Sequence, residues 1–489
     1  MSSQLGRQAG SAMVWKSIQM IGVKAIFLIR TLVLARLLLP EDFGLLAISM
    51  IAVDFLLNVT NLGMVPALVQ RLKATEAQYN TAWTLGMGRA LLIGAVVFLA
   101  APLIATLFAE PRAADLIRVM AIRPLLEAAV SIKVAALQRN LRFRRLTFIY
   151  LPEAVVNTAV SISLAPFFGV WALIAGSLAG PVTQIIASYL LAPHRPQLTL
   201  DLNAARPLIR FGRWIFLTGL VAVLGSSALQ LVISRNLGTM ELGLYFLAAK
   251  LAFIPAEISA EVVGAVAFPL YSRLQQQVIK LVAAFRAILI GMAVLLLPIC
   301  FLLITLTPAL VDNVLGPQWA GTIPLIRLLA LVNVLGLFGD TVSPILKGLG
   351  RPSHMVLIEL VQSTLLVAFI WGLTTWFGVA GAAVAWLLAV GSSQLLSLLF
   401  VRRLLPQPTS GLGRPLTLIL SISLLGAAAA WGVDNLMPGL AGLILGGLAG
   451  TVTIAALLWL SDRRWQWGLV TNASLLFPRL ASLQKTVTG

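Results

Sequence analysis

Cysteine is almost missing from this 489-residue chain: Cys300 stands alone inside an apolar run, so neither an intrachain disulfide nor a cysteine metal site can form. Histidine is nearly as scarce, with only His194 and His354, both in short polar connections, and two isolated imidazoles do not supply a metal-ligand set. No Gly-Lys-Ser/Thr phosphate loop occurs, which argues against ATP hydrolysis by a Walker-type site in this chain. Charged residues are 11% of the total, against about a quarter in an ordinary soluble domain. Among them Lys and Arg number 35 and Asp and Glu 17, a net charge of +18. That excess could suggest nucleic acid, but no segment between apolar runs exceeds about 20 residues, too little for a basic module with stacking aromatics. The same shortage of polar chain disfavours an enzyme such as a polysaccharide polymerase, and neither cofactor nor metal is expected.

Apolar residues are what the chain has in abundance, at 59%, with a mean hydropathy of +0.97. Runs such as 90–108, 284–304, 360–376 and 440–460 suit helices crossing roughly 30 Å of hydrocarbon at about 20 residues each. Fourteen spans are expected, at 12–35, 43–66, 84–108, 114–137, 147–167, 170–192, 213–234, 243–269, 285–310, 320–345, 355–376, 378–400, 415–433 and 439–460. The fold class is all-α, a polytopic membrane protein. The first segment contains Lys16, Lys24 and Arg30 and has no small-residue cleavage site, so it reads as a retained helix rather than a signal peptide.

Within this apolar text there is an internal repeat. Ala35-Arg-Leu-Leu-Leu-Pro-Glu-Asp-Phe-Gly-Leu45 returns without a gap as Ser234-Arg-Asn-Leu-Gly-Thr-Met-Glu-Leu-Gly-Leu244, placing Arg36 on Arg235, Asp42 on Glu241 and Gly44 on Gly243. At a second, slightly larger offset, Leu137–Arg142 aligns with Leu346–Arg351, and Phe168-Gly169-Val170 with Phe377-Gly378-Val379. Two six-helix lobes are expected, 1–195 and 196–405, followed by two additional helices in 406–461 and a tail over 462–489. Duplicated lobes are typical of secondary transporters, with the substrate site between repeats.

Counting alternate connections makes one side strongly basic, with 23 Lys and Arg, while the other holds only Arg36, Arg112 and Arg235. Basic flanks stay cytoplasmic, so both termini are expected inside, the span count even, and the lobes parallel repeats.

Several ionisable residues fall inside the apolar segments, where each costs a few kcal/mol unless it meets a wet cavity or a partner. Lys250, Glu257 and Glu261 share a face of the eighth span at 100° per residue, and Asp54, Asn58 and Asn61 share one of the second. The repeat offset puts Asn58 onto Glu257, so a cavity lined by spans two and eight is expected. Simple pairing between helices is the alternative. Lys24 either contacts an anionic substrate or pairs with Asp54, and Arg30 lies on the same span. Arg123 and Glu127, four apart, have the spacing of a helix-surface ion pair. Arg36, Asp42, Arg235 and Glu241 fall at the outer mouth, where they either gate the pathway or cap helix ends.

Leu34–Leu45 after an amphipathic first span resembles the first-loop motif of the polysaccharide-transport family, the Wzx-type oligosaccharide flippases. The likeness continues through Asn61-Leu62-Gly63, Gln138–Phe143 and Leu346–Pro352. That family lies in the multidrug/oligosaccharidyl-lipid/polysaccharide exporter superfamily. The resemblance implies alternating access and flipping of an undecaprenyl-pyrophosphate-linked oligosaccharide across the bacterial inner membrane, driven by a proton or sodium gradient. Lipid-linked oligosaccharide and membrane lipids are the implied partners. A lipid II flippase or a multidrug/cation antiporter of the same superfamily is the alternative. In the lipid II branch, basic residues of the first, second and eighth spans engage the pyrophosphate; here Lys24 and Lys250 match, while the second span offers Asp54.

Overall fold

The computed structural model describes residues 2–60, 68–69, 75–199 and 202–465, and over these the chain is helical without a strand. It divides into two compact units, Met1–Gly243 and Leu244–Gly489. Twelve helices among the described residues are long and apolar enough to cross a membrane, two fewer than the fourteen spans expected.

The first unit contains α1 (Ser2–Leu37), α2 (Pro40–Val59), α3 (Glu76–Leu107), α4 (Ala113–Met120), α5 (Arg123–Ala129), α6 (Val134–Arg139), α7 (Phe143–Phe168), α8 (Val170–Leu191), α9 (Leu202–Leu237) and the start of α10 (Thr239–Ala252). The expected fourth span, 114–137, is instead the three short helices α4, α5 and α6. Two local causes act. Pro124 sits in the first turn of α5 and has no N–H to continue the bonds of α4. Ser131 then leaves the helical path: its N–H donates to Ser188 Oγ at 3.0 Å and its hydroxyl to the Ala192 carbonyl at 2.6 Å.

Connections of this unit gather at two ends. At one, Arg112 reaches Glu41 and Asp42 approaches Gly169. At the other, Lys133 meets Glu76, and Arg145 donates to the Leu191 carbonyl. Alternate loops therefore share an end, as the parity of the spans requires.

The second unit contains the rest of α10, then α11 (Ile254–Arg273), α12 (Val278–Leu310), α13 (Thr322–Gly348), α14 (Pro352–Leu404), α15 (Gly413–Leu436) and α16 (Leu440–Trp465). Its core, with Phe285 edge-on to Phe338 at 5.9 Å, is built largely from α12 and α13. Helices α15 and α16, which have no repeat counterpart, approach through glycine: a Cβ on Gly426 would strike Ile454, and one on Gly450 the Gly426 carbonyl. The stripe Gly442, Gly446, Gly450 thus includes positions of close helix contact. The 53 residues of α14 are two helices joined at a kink. At its midpoint Gly378 is non-helical, at φ 59° and ψ −145°, so the expected eleventh and twelfth spans are its two halves.

That glycine is one of three places where the sequence repeat is also a backbone repeat. Its partner Gly169, between α7 and α8, has φ 53° and ψ −128°, a region open in practice only to glycine. The second place is a helix C-cap. Arg142 N–H bonds the Leu137 carbonyl at 2.9 Å and Leu141 N–H the Gln138 carbonyl at 3.1 Å; Arg351 to Leu346 and Gly350 to Lys347 repeat both distances. Leu141 and Gly350 are left-handed, at φ 54° and 70°, as this cap requires. The third is the loop that carries Gly44 and Gly243, described below.

Exposed aromatic residues recur near helix ends. Phe167 and Phe168 precede Gly169, Trp376 (82% exposed) and Phe377 precede Gly378, and Trp431 and Trp459 lie near the ends of α15 and α16. Rings at such positions suit the headgroup level of a bilayer, and the exposed leucines of α3, α15 and α16 suit contact with hydrocarbon.

Candidate functional site

Four of the eight predicted cavity residues, Lys24, Arg30, Asp54 and Asn58, lie on α1 and α2 of the first unit. Lys250 is on α10, and Glu257 and Glu261 are on α11, all in the second unit. Asn61 lies outside the described residues.

In the first unit the polar groups form a network joining five helices. Arg30 of α1 stacks on Phe27, 5.0 Å from the ring centre, and donates to Asn157 Oδ1 of α7. Glu153, one turn from Asn157, is within electrostatic reach of Arg30. On α2, Asp54 accepts from Arg123 Nη1 of α5 at 3.4 Å, while Arg123 Nε bonds Glu127 at 2.8 Å. The spacing of Arg123 and Glu127 thus produced the local pair, but the same guanidinium also ties α5 to α2. Arg89 of α3 donates to the Thr60 carbonyl at the end of α2, 2.9 Å away. Asn58 turns back, its Nδ2 donating to the Asp54 carbonyl at 2.8 Å. Among the described residues, the Nε–H groups of Arg30 and Arg89 are buried and have no hydrogen-bond partner. A buried donor without an acceptor is costly, so these two sites are primed to receive an oxygen ligand or water. Lys24 is half-buried on α1.

Of these residues, the sequence reading singled out Arg30, Asp54 and Asn58 but gave no cavity role to Arg89, Arg123, Glu127, Glu153 or Asn157. The signal available was their charge at membrane depth. Their convergence from α3, α5 and α7 could not be read from spacing, because the helix between residues 113 and 139 is broken.

In the second unit the eighth span is interrupted at Phe253, between α10 and α11. Pro255 in the first turn of α11 cannot bond back to the preceding turn. The interruption falls between Lys250 and Glu257, but Phe253 keeps right-handed helical angles and its N–H bonds the Ala249 carbonyl at 3.0 Å, so the chain passes it without leaving the helical path. Lys250 Nζ lies 5.7 Å from the centre of the Phe246 ring.

The loop residues form a second polar cluster, all within the first unit. Asp42 Oδ2 accepts the Leu39 N–H at 3.1 Å, capping the start of α2. Arg235 donates to the Leu107 carbonyl at 3.2 Å, and Ser234 to the Phe108 carbonyl at 2.9 Å, so both cap the end of α3. Arg36 is exposed and Glu241 half-buried. Among the described residues no salt bridge joins Arg36 to Asp42 or Arg235 to Glu241. The ionic contact runs instead through the loop between α3 and α4: Arg112 bridges Glu41 at 2.5 Å and Glu110 at 2.7 Å, and Glu110 accepts from Thr239 Oγ1 at 2.7 Å.

The Arg112 guanidinium and the Thr239 hydroxyl hold the Glu110 carboxyl below its ordinary value of 4.5. A carboxyl lowered on folding contributes stability that is fully present above the unfolded value and is lost as pH falls through the folded one. Thermal unfolding in detergent should therefore show wild type above Glu110→Gln by no more than about 1 kcal/mol at pH 7, because Arg112 is largely exposed. The gap should close as pH drops below the ordinary carboxyl range. A gap that widened on acidification would contradict this assignment.

Around the same loop the repeat makes a reciprocal contact. A Cβ on Gly44 would collide with the Thr239 carbonyl, and one on Gly243 with the Pro40 carbonyl. Pro40 and Thr239 are themselves repeat equivalents, so each glycine admits the backbone of the other copy's loop.

Membrane helices in repeated sets, with ionisable groups along them, are features also found in secondary transporters. Residues 33–324 match the family described as polysaccharide biosynthesis protein, and the chain belongs to that family. It is 27% identical over 360 residues to the succinoglycan biosynthesis transport protein ExoT of Rhizobium meliloti (strain 1021), covering 73% of each chain. It is 24% identical over 343 residues to the lipopolysaccharide biosynthesis protein WzxC of Escherichia coli (strain K12), covering 69% of each. Among solved structures, the lipid II flippase MurJ in an inward closed conformation superposes with a TM-score of 0.72 at 13% identity, over 92% of this chain and 99% of that one. An inward-facing multidrug resistance MATE family transporter superposes at 0.61 and 18% identity, over 80% and 98%. The MurJ and MATE likenesses establish the fold, that of a multi-pass helical membrane protein.

Proposed function

We propose that this chain flips an undecaprenyl-pyrophosphate-linked oligosaccharide repeat unit across the bacterial inner membrane by alternating access, for exopolysaccharide, capsule or O-antigen assembly. Family membership and relatives active in succinoglycan and lipopolysaccharide synthesis support the substrate class. The observation that carries it is the pair of unpartnered guanidinium N–H groups on Arg30 and Arg89 at membrane depth. A buried donor without an acceptor is costly, and phosphate or sugar oxygens complete it.

In this reading Lys24, Arg30 and Lys250 attract the pyrophosphate or acidic sugars, and Asn58 and Asn61 bond hydroxyls. Asp54 stays with Arg123 as the partner that orients α2. Glu257 or Glu261 carries a coupling proton, with sodium as the competing ion. The two lobes, 1–195 and 196–405, rock about the central cavity, with both termini cytoplasmic and 406–461 supplying two further spans. The loops carrying Arg36, Asp42, Arg235 and Glu241 form the outer gate, Asp42 and Arg235 acting there as helix caps.

The test uses the purified chain in liposomes with a fluorescent undecaprenyl-pyrophosphate oligosaccharide, scoring loss of fluorophore accessibility from one leaflet. Transport above protein-free liposomes is expected, and Lys24→Ala, inserted normally, should slow it at least about tenfold, the loss of one charge-assisted contact of roughly 1.4 kcal/mol or more. Export of cationic drugs with no movement of the lipid-linked sugar would replace this reading with an antiporter, and an undiminished Lys24→Ala would remove that residue from the site.

A further inference from the structure

The two helix-capping loops at 137–142 and 346–351 share one backbone, bond for bond, but not one charge pattern. The first repeat carries Arg139, Arg142, Arg144 and Arg145, and the equivalent positions of the second are Gly348, Arg351, Ser353 and His354. Only Arg142 has a basic counterpart. Since the same cap forms without them, the three additional arginines are not required by the loop fold.

Their surroundings indicate what they do. The Arg144 guanidinium lies 5.7 Å from the Trp15 ring centre, and Trp15 packs on Phe148 at 6.2 Å. Thr147 Oγ1 lies 3.2 Å from the Trp15 carbonyl and 3.0 Å from the Phe143 carbonyl, its single proton shared between the two acceptors. Phe148, one turn into the helix from Arg144, is 51% exposed, and Arg142, Arg144 and Arg145 are exposed at the helix start. From the helix start inward the order is therefore the Arg144 guanidinium, the Trp15 indole, then the exposed Phe148 ring, with the Arg145 guanidinium turned to the Leu191 carbonyl at 3.3 Å and Arg142 exposed beside them. This matches the layering of a phospholipid monolayer: phosphate, glycerol level, acyl chain.

We propose that the start of α7, with Trp15 of α1, is a binding site for the head group of an anionic phospholipid, with Arg142 and Arg144 on the phosphate and Phe148 along an acyl chain. The site is separate from the polar network at membrane depth and does not depend on the transport reading. An anionic lipid seated there pins the inner halves of α1 and α7 together at the membrane surface.

The full chain in detergent micelles, titrated with dansyl-labelled phosphatidylglycerol and read by energy transfer from tryptophan, tests this. Unlabelled phosphatidylglycerol should displace the probe and phosphatidylcholine should not. Raising salt from about 0.1 M to about 1 M should weaken binding, since the Debye length falls from about 10 Å to about 3 Å. Arg144→Ser, which installs the second repeat's residue in the same backbone, should weaken binding about fivefold. Arg144→Lys should recover most of it, and Ser353, the equivalent position, offers the reciprocal variant Ser353→Arg with no effect on this site. Equal displacement by phosphatidylcholine, or unchanged affinity in Arg144→Ser with a wild-type melting temperature, would overturn the proposal. Displacement by millimolar inorganic diphosphate in preference to phosphatidylglycerol would also overturn it, assigning the arginines to the diphosphate of a polyprenyl carrier.

Discussion

Gly44→Val is expected to destabilise the protein by about 3 kcal/mol and to reduce transport more than tenfold, because overpacking a close contact costs about 1–3 kcal/mol and backbone is the least able to yield. The collision is with the Thr239 carbonyl and Cγ2, and the mirror variant Gly243→Val strikes the Pro40 carbonyl and the Gly44 nitrogen. Both substitutions wedge apart the same two loops, so the double variant should cost less than the sum of the single ones. Thermal unfolding in detergent with transport in liposomes reads both effects. Additive losses would mean that the two glycines act at separate contacts.

Arg123→Leu should be the most damaging single change in the membrane-depth network. It removes one guanidinium from two carboxylates, Asp54 at 3.4 Å and Glu127 at 2.8 Å. Stripping a buried carboxylate of its partner costs about 3–5 kcal/mol. Here the acidic side chains are 40% and 37% exposed within the protein, so a loss of about 1–3 kcal/mol is the appropriate expectation. Adding Asp54→Asn should restore part of it, since a neutral amide no longer needs the cation. A double-mutant cycle on unfolding free energy measures the coupling, and a value near zero would show that Asp54 and Arg123 are neighbours without mutual stabilisation.

The repeat was legible because its backbone demands are written in residue type. Gly169 and Gly378 sit in a region closed to side chains, and Gly44 and Gly243 admit a carbonyl that a Cβ would exclude; such positions tolerate little substitution, so the text survives where surrounding helices drift. The capping loops were legible for a similar reason, although Leu141 accepts the left-handed position that Gly350 fills. The broken helix between 113 and 139 was hidden, since its break depends on Ser188 and the Ala192 carbonyl, contacts more than 50 residues away in sequence. Arg123 shows the same division: the i, i+4 spacing to Glu127 is local, and the contact with Asp54 exists only once α2 and α5 are packed.

Hydropathy, charge placement and the repeated loops thus determined, without any structure, that this is a helical membrane protein of duplicated design in the polysaccharide-transport family. Those properties depend on transfer free energies and backbone sterics, which are set residue by residue. Tertiary structure alone decided which polar groups meet: Arg30 with Asn157 and Arg123 with Asp54 as well as Glu127 among the helices, and in the loops Arg112 with Glu41 and Glu110 rather than Arg36 with Asp42. Such pairings depend on the packing and rotation of several helices at once, and a helix's rotation about its axis is fixed by its neighbours.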